Sequence, residues 1–133
     1  MLKILFLVLL TLTLNANTFS IASYNVENFF DLNNDNDEYS EFIPNTKSNW
    51  NQNTFNIKVN NLVKVLSDID ADIIALQEVE NRELMQLLLK KLPNYHYFSF
   101  IKYPDSAIGV GFLSKIKIKE NRQLDVKFTT KVY

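Results

Sequence analysis

Ala71-Asp-Ile-Ile-Ala-Leu-Gln-Glu-Val-Glu-Asn81 is the stretch that decides the fold. Ile73 to Val79 is short and mostly apolar, so it reads as a buried strand. Helical periodicity flanks it on both sides. Upstream, Leu62, Val65, Leu66 and Ile69 recur at i, i+3, i+4 and i+7, with Lys58, Asn60, Lys64 and Asp68 on the opposite side. Asp70-Ala-Asp72 closes that helix. Downstream, a second helix capped near Asn81 buries Leu84, Leu87, Leu88 and Leu92, and Pro93-Asn94 stops it. A buried strand between two amphipathic helices defines a mixed α/β (α+β) class.

Further upstream, Ile21-Ala-Ser-Tyr-Asn-Val-Glu-Asn-Phe-Phe-Asp31 repeats the theme, with a strand expected over Phe19 to Val26. Both strands run into clusters of amides and carboxylates. Packing requires no such ending, whereas a hard, oxygen-preferring cation such as Mg²⁺ does. Between that strand and the first helix, residues 31–54 are rich in Asn, Asp and Ser, contain Pro44 and lack periodicity. They read as a long loop, and Tyr39, Phe42, Ile43 and Trp50 are expected to pack it down. Beyond the second helix, strands are expected over Tyr95–Ile101, Ile108–Ser114, Ile116–Lys119 and Leu124–Phe128. A turn at Tyr103-Pro-Asp-Ser106 joins the first two. Gly109 and Gly111 alternate in one of these strands, which permits close approach of another layer.

The 133 residues, 47% hydrophobic and 22% charged, describe one globular unit rather than a disordered chain. A net charge of −1 gives no global electrostatic footprint for nucleic acid, and leaves room for a local one. The absence of cysteine excludes disulfides, zinc–thiolate sites and thiol nucleophiles. Lys3 followed by the apolar run Ile4 to Leu14 reads as a signal peptide over residues 1–16, with cleavage after Ala16. The run is too short to span a bilayer comfortably, so no stable membrane span is expected after its removal. Export to the periplasm or beyond the cell is the corresponding expectation.

Glu78 lies at the carboxyl end of its strand, where ligand sites form in α/β sheets. A carboxylate there needs a cation partner or open solvent. Asn25 ends the other strand, where its amide either orients a carboxylate or phosphate oxygen or forms a turn. Glu27 and Asn28 read as strand-edge polar groups, and Glu80 as solvated. Lys115, Lys117 and Lys119 alternate with Ile116 and Ile118. On a strand they share one face, as a solvated or lysine-protected edge or as a track for a nucleic-acid backbone. His96, the single histidine, has no carboxylate near it in sequence and reads as a structural or surface residue.

Taken together, Ser23-Tyr-Asn-Val-Glu-Asn28, Ala71 to Asn81 and Pro104-Asp-Ser-Ala-Ile-Gly-Val-Gly-Phe-Leu-Ser114 resemble the endonuclease/exonuclease/phosphatase superfamily, the DNase I-like fold. Asp37-Glu-Tyr-Ser-Glu-Phe-Ile-Pro44 and Trp50 resemble the loop of exported bacterial members. The resemblance implies a four-layer α/β sandwich, of which residues 19–133 make a partial domain, the first half. It implies hydrolysis of phosphate esters, most simply phosphodiesters of nucleic acid, with Mg²⁺ or Mn²⁺. By the same resemblance Glu78 is a metal ligand and a catalytic residue, and Asn25 is catalytic and binds substrate. Lys102 and Ser106 then contact substrate, and Gln77 supports the metal shell.

Two departures from the family pattern qualify this. Ala107 stands where an arginine commonly follows Asp-Ser, and the family's Asp/Asn and Asp–His pairs are absent from the sequence. A truncated nuclease, inactive alone, is therefore expected, with an exposed apolar sheet face. The alternatives are a remnant or split half that needs a complementing chain, and a small exported binding module on the same scaffold.

Overall fold

The computed structural model describes residues 18–124, so the expected signal peptide and most of the expected strand Leu124–Phe128 lie outside the described residues. Four strands and two α-helices follow one another as β1 (Ile21–Phe29), α1 (Gln52–Ile69), β2 (Ile73–Val79), α2 (Arg82–Lys91), β3 (Tyr97–Ile101) and β4 (Gly109–Ser114). The sheet order is β1-β2-β4-β3, with β1 and β2 parallel and the other two pairings antiparallel. This mixed α+β arrangement matches a partial DNase I-like fold: one sheet and one helical layer. No helix among the described residues is long and apolar enough to cross a membrane.

Both helices lie on one face of the sheet because each carries one apolar stripe. Val59, Leu62 and Leu66 of α1 and Leu84, Met85 and Leu88 of α2 bury against Val26, Ile74, Leu76, Val79 and Leu113 of the strands. Their starts are fixed locally. The Asn51 side chain accepts from the backbone N–H of Asn53 and Thr54, and the Thr54 hydroxyl accepts in return from Asn51 N, a capping box. Asn81 caps α2 by accepting from Leu84 N at 2.9 Å. The loop therefore ends at Asn51, three residues earlier than the periodicity implied, because the cap recruits Gln52 to Thr54 into the helix.

The loop does pack down. Phe42 stacks on Phe30 and meets Trp50 edge-on, and Tyr39 meets Phe30 edge-on. The Trp50 indole N–H donates to Asp31 O at 2.7 Å. These contacts tie the loop to the carboxyl end of β1.

Among the described residues, the other sheet face has no helical cover. Alternation places Ile21, Ser23 and Asn25 of β1, Ile73, Ala75 and Gln77 of β2, and Val110 and Phe112 of β4 on it. Residues 116–124 run without regular structure and line its clefts. The expected strand Ile116–Lys119 is thus corrected. β4 stops where its partner β2 begins, at the pair Ser114 and Ile73. The Ser114 hydroxyl then bonds both the N–H and the carbonyl of Ile116, which turns the chain out of the ladder. Lys115, Lys117 and Lys119 consequently share no strand face. Lys115 instead pairs with Asp70 at 2.8 Å.

Candidate metal and phosphate site

The site stands where β1 and β2 end together. Their pairing is regular to Asn25 and Gln77, then resumes only at Phe29 and Val79. Three β1 residues therefore oppose Glu78 alone. The β2–β4 pairing slips at the same point, between Gln77 and Val79. Glu78, Glu27 and Asn28 all adopt left-handed backbone conformations, with φ of 66°, 53° and 58°. Bulges re-aim side chains, and here the effect follows from parity. On a regular strand Glu78 would follow Ile74 and Leu76 into the helical core. The bulge hands that place to Val79, which is fully buried, and turns the carboxylate out of the core.

There the carboxylate is gripped at both oxygens. The Asn25 side-chain amide donates to Oε1 at 2.7 Å, and the Asn28 backbone N–H donates to Oε2 at 3.1 Å. The Asn25 carbonyl in turn accepts from Glu27 N at 2.7 Å, which fixes the amide's orientation. Each carboxylate oxygen keeps a lone pair for a further ligand. Glu78 also lines a cleft of about 560 Å³ with Gln77, Lys102, Tyr103, Val110 and Phe112. A fixed, half-exposed, all-oxygen donor at a cleft wall fits a hard divalent cation.

The residues singled out from sequence separate in space. Asn25 and Glu78 meet directly. Gln77 faces the same cleft but hydrogen-bonds Ser23, with its Nε2 donating at 3.2 Å, and makes no hydrogen bond to Glu78. Lys102 lines the cleft and pairs with Asp37 at 3.1 Å. The Ser106 hydroxyl closes its own turn by donating to Ile108 O at 2.6 Å. His96 is exposed and precedes β3, whose first residue pairs with Ser114. That is the amino end of β2, a strand's length from Glu78.

Two residues take places that the sequence did not indicate. Lys58, on the apparently outward side of α1, reaches back to donate to Glu27 O at 2.9 Å. Burial lowers its pKa, opposed by the nearby charges of Glu27 and Glu78. Asn and Lys spacing in a helix carries no signal for such a reach. Glu80, expected to be solvated, is only 1% exposed. Past the bulge it turns beneath the loop, where its Oε2 accepts from Asp31 N at 2.7 Å and Asn81 Nδ2 at 3.1 Å. Burial pushes its pKa up to about 7 despite those hydrogen bonds.

Fold and geometry thus define an α/β protein with a cluster of oxygen donors at the shared end of two parallel strands. The profile of the endonuclease/exonuclease/phosphatase family matches residues 20–124, and the chain belongs to that family. Members act on phosphate esters, nucleic acids among them, and usually use divalent metals. Neither a curated protein nor a solved structure matches the chain significantly.

Proposed function

We propose that the protein is a divalent-metal-dependent phosphodiesterase, most simply a nuclease, in which Glu78 holds Mg²⁺ or Mn²⁺. The observation that carries this reading is the bulge that removes Glu78 from the core and fixes both its oxygens through Asn25 and Asn28. Strained backbone of this kind persists where surrounding structure enforces it, often at functional sites. The bound ion would polarise a phosphoryl oxygen and offset developing charge.

The chain's own residues bind and orient. Glu78 offers a preset carboxylate, so little reorganisation accompanies ion or phosphate binding. Asn25 holds that carboxylate and presents amide hydrogen-bonding capacity to a phosphate oxygen. Lys102 supplies positive charge at the cleft wall, and Gln77 supplies an uncharged donor there. Ser106 can join them only by giving up its turn. The leader-like residues 1–16 support an exported setting.

Among the described residues no histidine stands beside Glu78 to act as general base, since His96 sits at the other end of the sheet. The reading therefore includes a second half-site, carried by further polypeptide or by a partner chain, that packs on the open sheet face. Plasmid nicking in Mg²⁺ tests this. The described chain alone is expected to nick weakly or not at all. Addition of a polypeptide bearing the family's Asp–His half is expected to restore nicking, and Glu78→Ala to abolish it. Failure of every complemented mixture to show metal-dependent cleavage would refute the nuclease reading.

A further inference from the structure

Glu80 poses a problem that the Glu78 site does not solve. Its carboxylate is buried, its Oε2 is satisfied by Asp31 N and Asn81 Nδ2, and its Oε1 has no hydrogen-bond partner. A buried carboxylate oxygen without a partner is costly, and natural proteins seldom leave one so. The loop brings two more carboxylates to the same spot. One oxygen each from Asp35, Glu38 and Glu80 lie within 4.8 Å of one another, twice a Ca–O bond of about 2.4 Å. A single ion can therefore touch all three.

The loop sequence has a matching form. Asp31-Leu-Asn-Asn-Asp-Asn36 carries oxygen side chains at its first, third and fifth positions, the spacing used by calcium-binding loops. Such loops need a left-handed residue at the sixth position, usually glycine; here it is Asn36, with φ of 73°. The glutamate that those loops place at their twelfth position is missing, because Phe42 stands there. Glu38 and Glu80 supply carboxylates instead, one from within the loop and one from across the fold. Glu38 is already held in place, accepting from the backbone N–H groups of Asp35 and Asn36. The neighbouring cation, Lys102, is engaged by Asp37.

We propose that Asp35, Glu38 and Glu80 form a second cation site, selective for Ca²⁺, that fastens the loop after β1 to the end of β2. Exposed, adjustable loop carboxylates suit the larger and geometrically tolerant Ca²⁺ better than Mg²⁺. The site is structural and separate from Glu78, which lines the cleft on the open sheet face.

Trp50 reports on it directly. It is the chain's only tryptophan, packs on Phe42 and bonds the Asp31 carbonyl. Chelator-stripped full-length protein titrated with CaCl₂ should show a saturable change in Trp50 fluorescence and a rise in Tm. Glu78→Gln should leave both intact. Asp35→Asn and Glu38→Gln, on the exposed side of the site, should each weaken Ca²⁺ binding roughly tenfold or more. No Ca²⁺ response in the wild type would overturn the proposal. So would a response that survives both loop substitutions, or one that Glu78→Gln removes.

Discussion

Four carboxylates bracket β2, and their surroundings sort them into opposite roles. At the amino end, Asp70 is ion-paired and hydrogen-bonded by Lys115 and bonded by Asn94, which hold its pKa below the ordinary carboxylate value. Asp72 is lowered chiefly by the Ser20 backbone N–H at 2.8 Å and then by the Ser20 hydroxyl. At the carboxyl end, Glu78 is presented to the cleft and Glu80 is buried and raised. The first pair sets an acid limb of stability. A carboxylate whose folded pKa is depressed stabilises the fold above its unfolded pKa, and that contribution is lost as pH falls through the folded value. Urea unfolding should therefore show stability declining below about pH 4. In the Asp70→Asn/Asp72→Asn double variant that decline should be shallower. An unchanged slope in the double variant would show that these carboxylates do not carry the acid limb.

At the scale of elements, period and punctuation predicted much, and register shifts mark where they stopped. Ile73 to Val79 is a strand with the boundaries its apolar run suggested, because Asp72 and the Glu78–Asn81 cluster punctuate both ends. Asn81 caps α2 as its position implied. The bulges at Glu78 were not legible, since period-2 alternation assigns faces only while register holds. The same blindness hid Glu80, whose burial depends on a loop folding over it from β1. The Lys/Ile alternation after Ser114 looked like a strand, but among the described residues no partner strand extends to receive it.

The two glycines of β4 were legible as points of close approach, and the structure distinguishes them. A Cβ at Gly109 would run into the backbone carbonyl of Ile101, whereas one at Gly111 would meet the flexible end of Met85. Gly109→Ala should therefore cost about 2–3 kcal/mol, and Gly111→Ala about 1 kcal/mol as Met85 adjusts. Urea denaturation of the two variants checks the order, and the reverse ranking would contradict it.

At the scale of the molecule, one sheet face is closed by helices and, among the described residues, the other is left to an irregular segment. Phe112 is 37% exposed in the cleft that Glu78 lines, and Ile21 is 65% exposed in a neighbouring cleft of the same face. The open apolar face and the Asn25–Glu78 cluster thus lie on one surface. A layer covering the first would bring residues to the second. Asn25 and Glu78 were legible as a pair because both sit in polar motifs at strand ends. Their geometry was not legible, because it arises from two bulges acting together.

Glu78, fixed by Asn25 and Asn28, is proposed to hold a divalent ion. Mn²⁺ added substoichiometrically to the isotope-labelled protein tests it site by site through paramagnetic broadening in NMR spectra. The Asn25 side-chain amide and the Asn28 backbone amide should broaden first on the open-face side in the wild type and stay sharp in Glu78→Gln. Sharp signals at both positions in the wild type, or equal broadening in Glu78→Gln, would contradict the account.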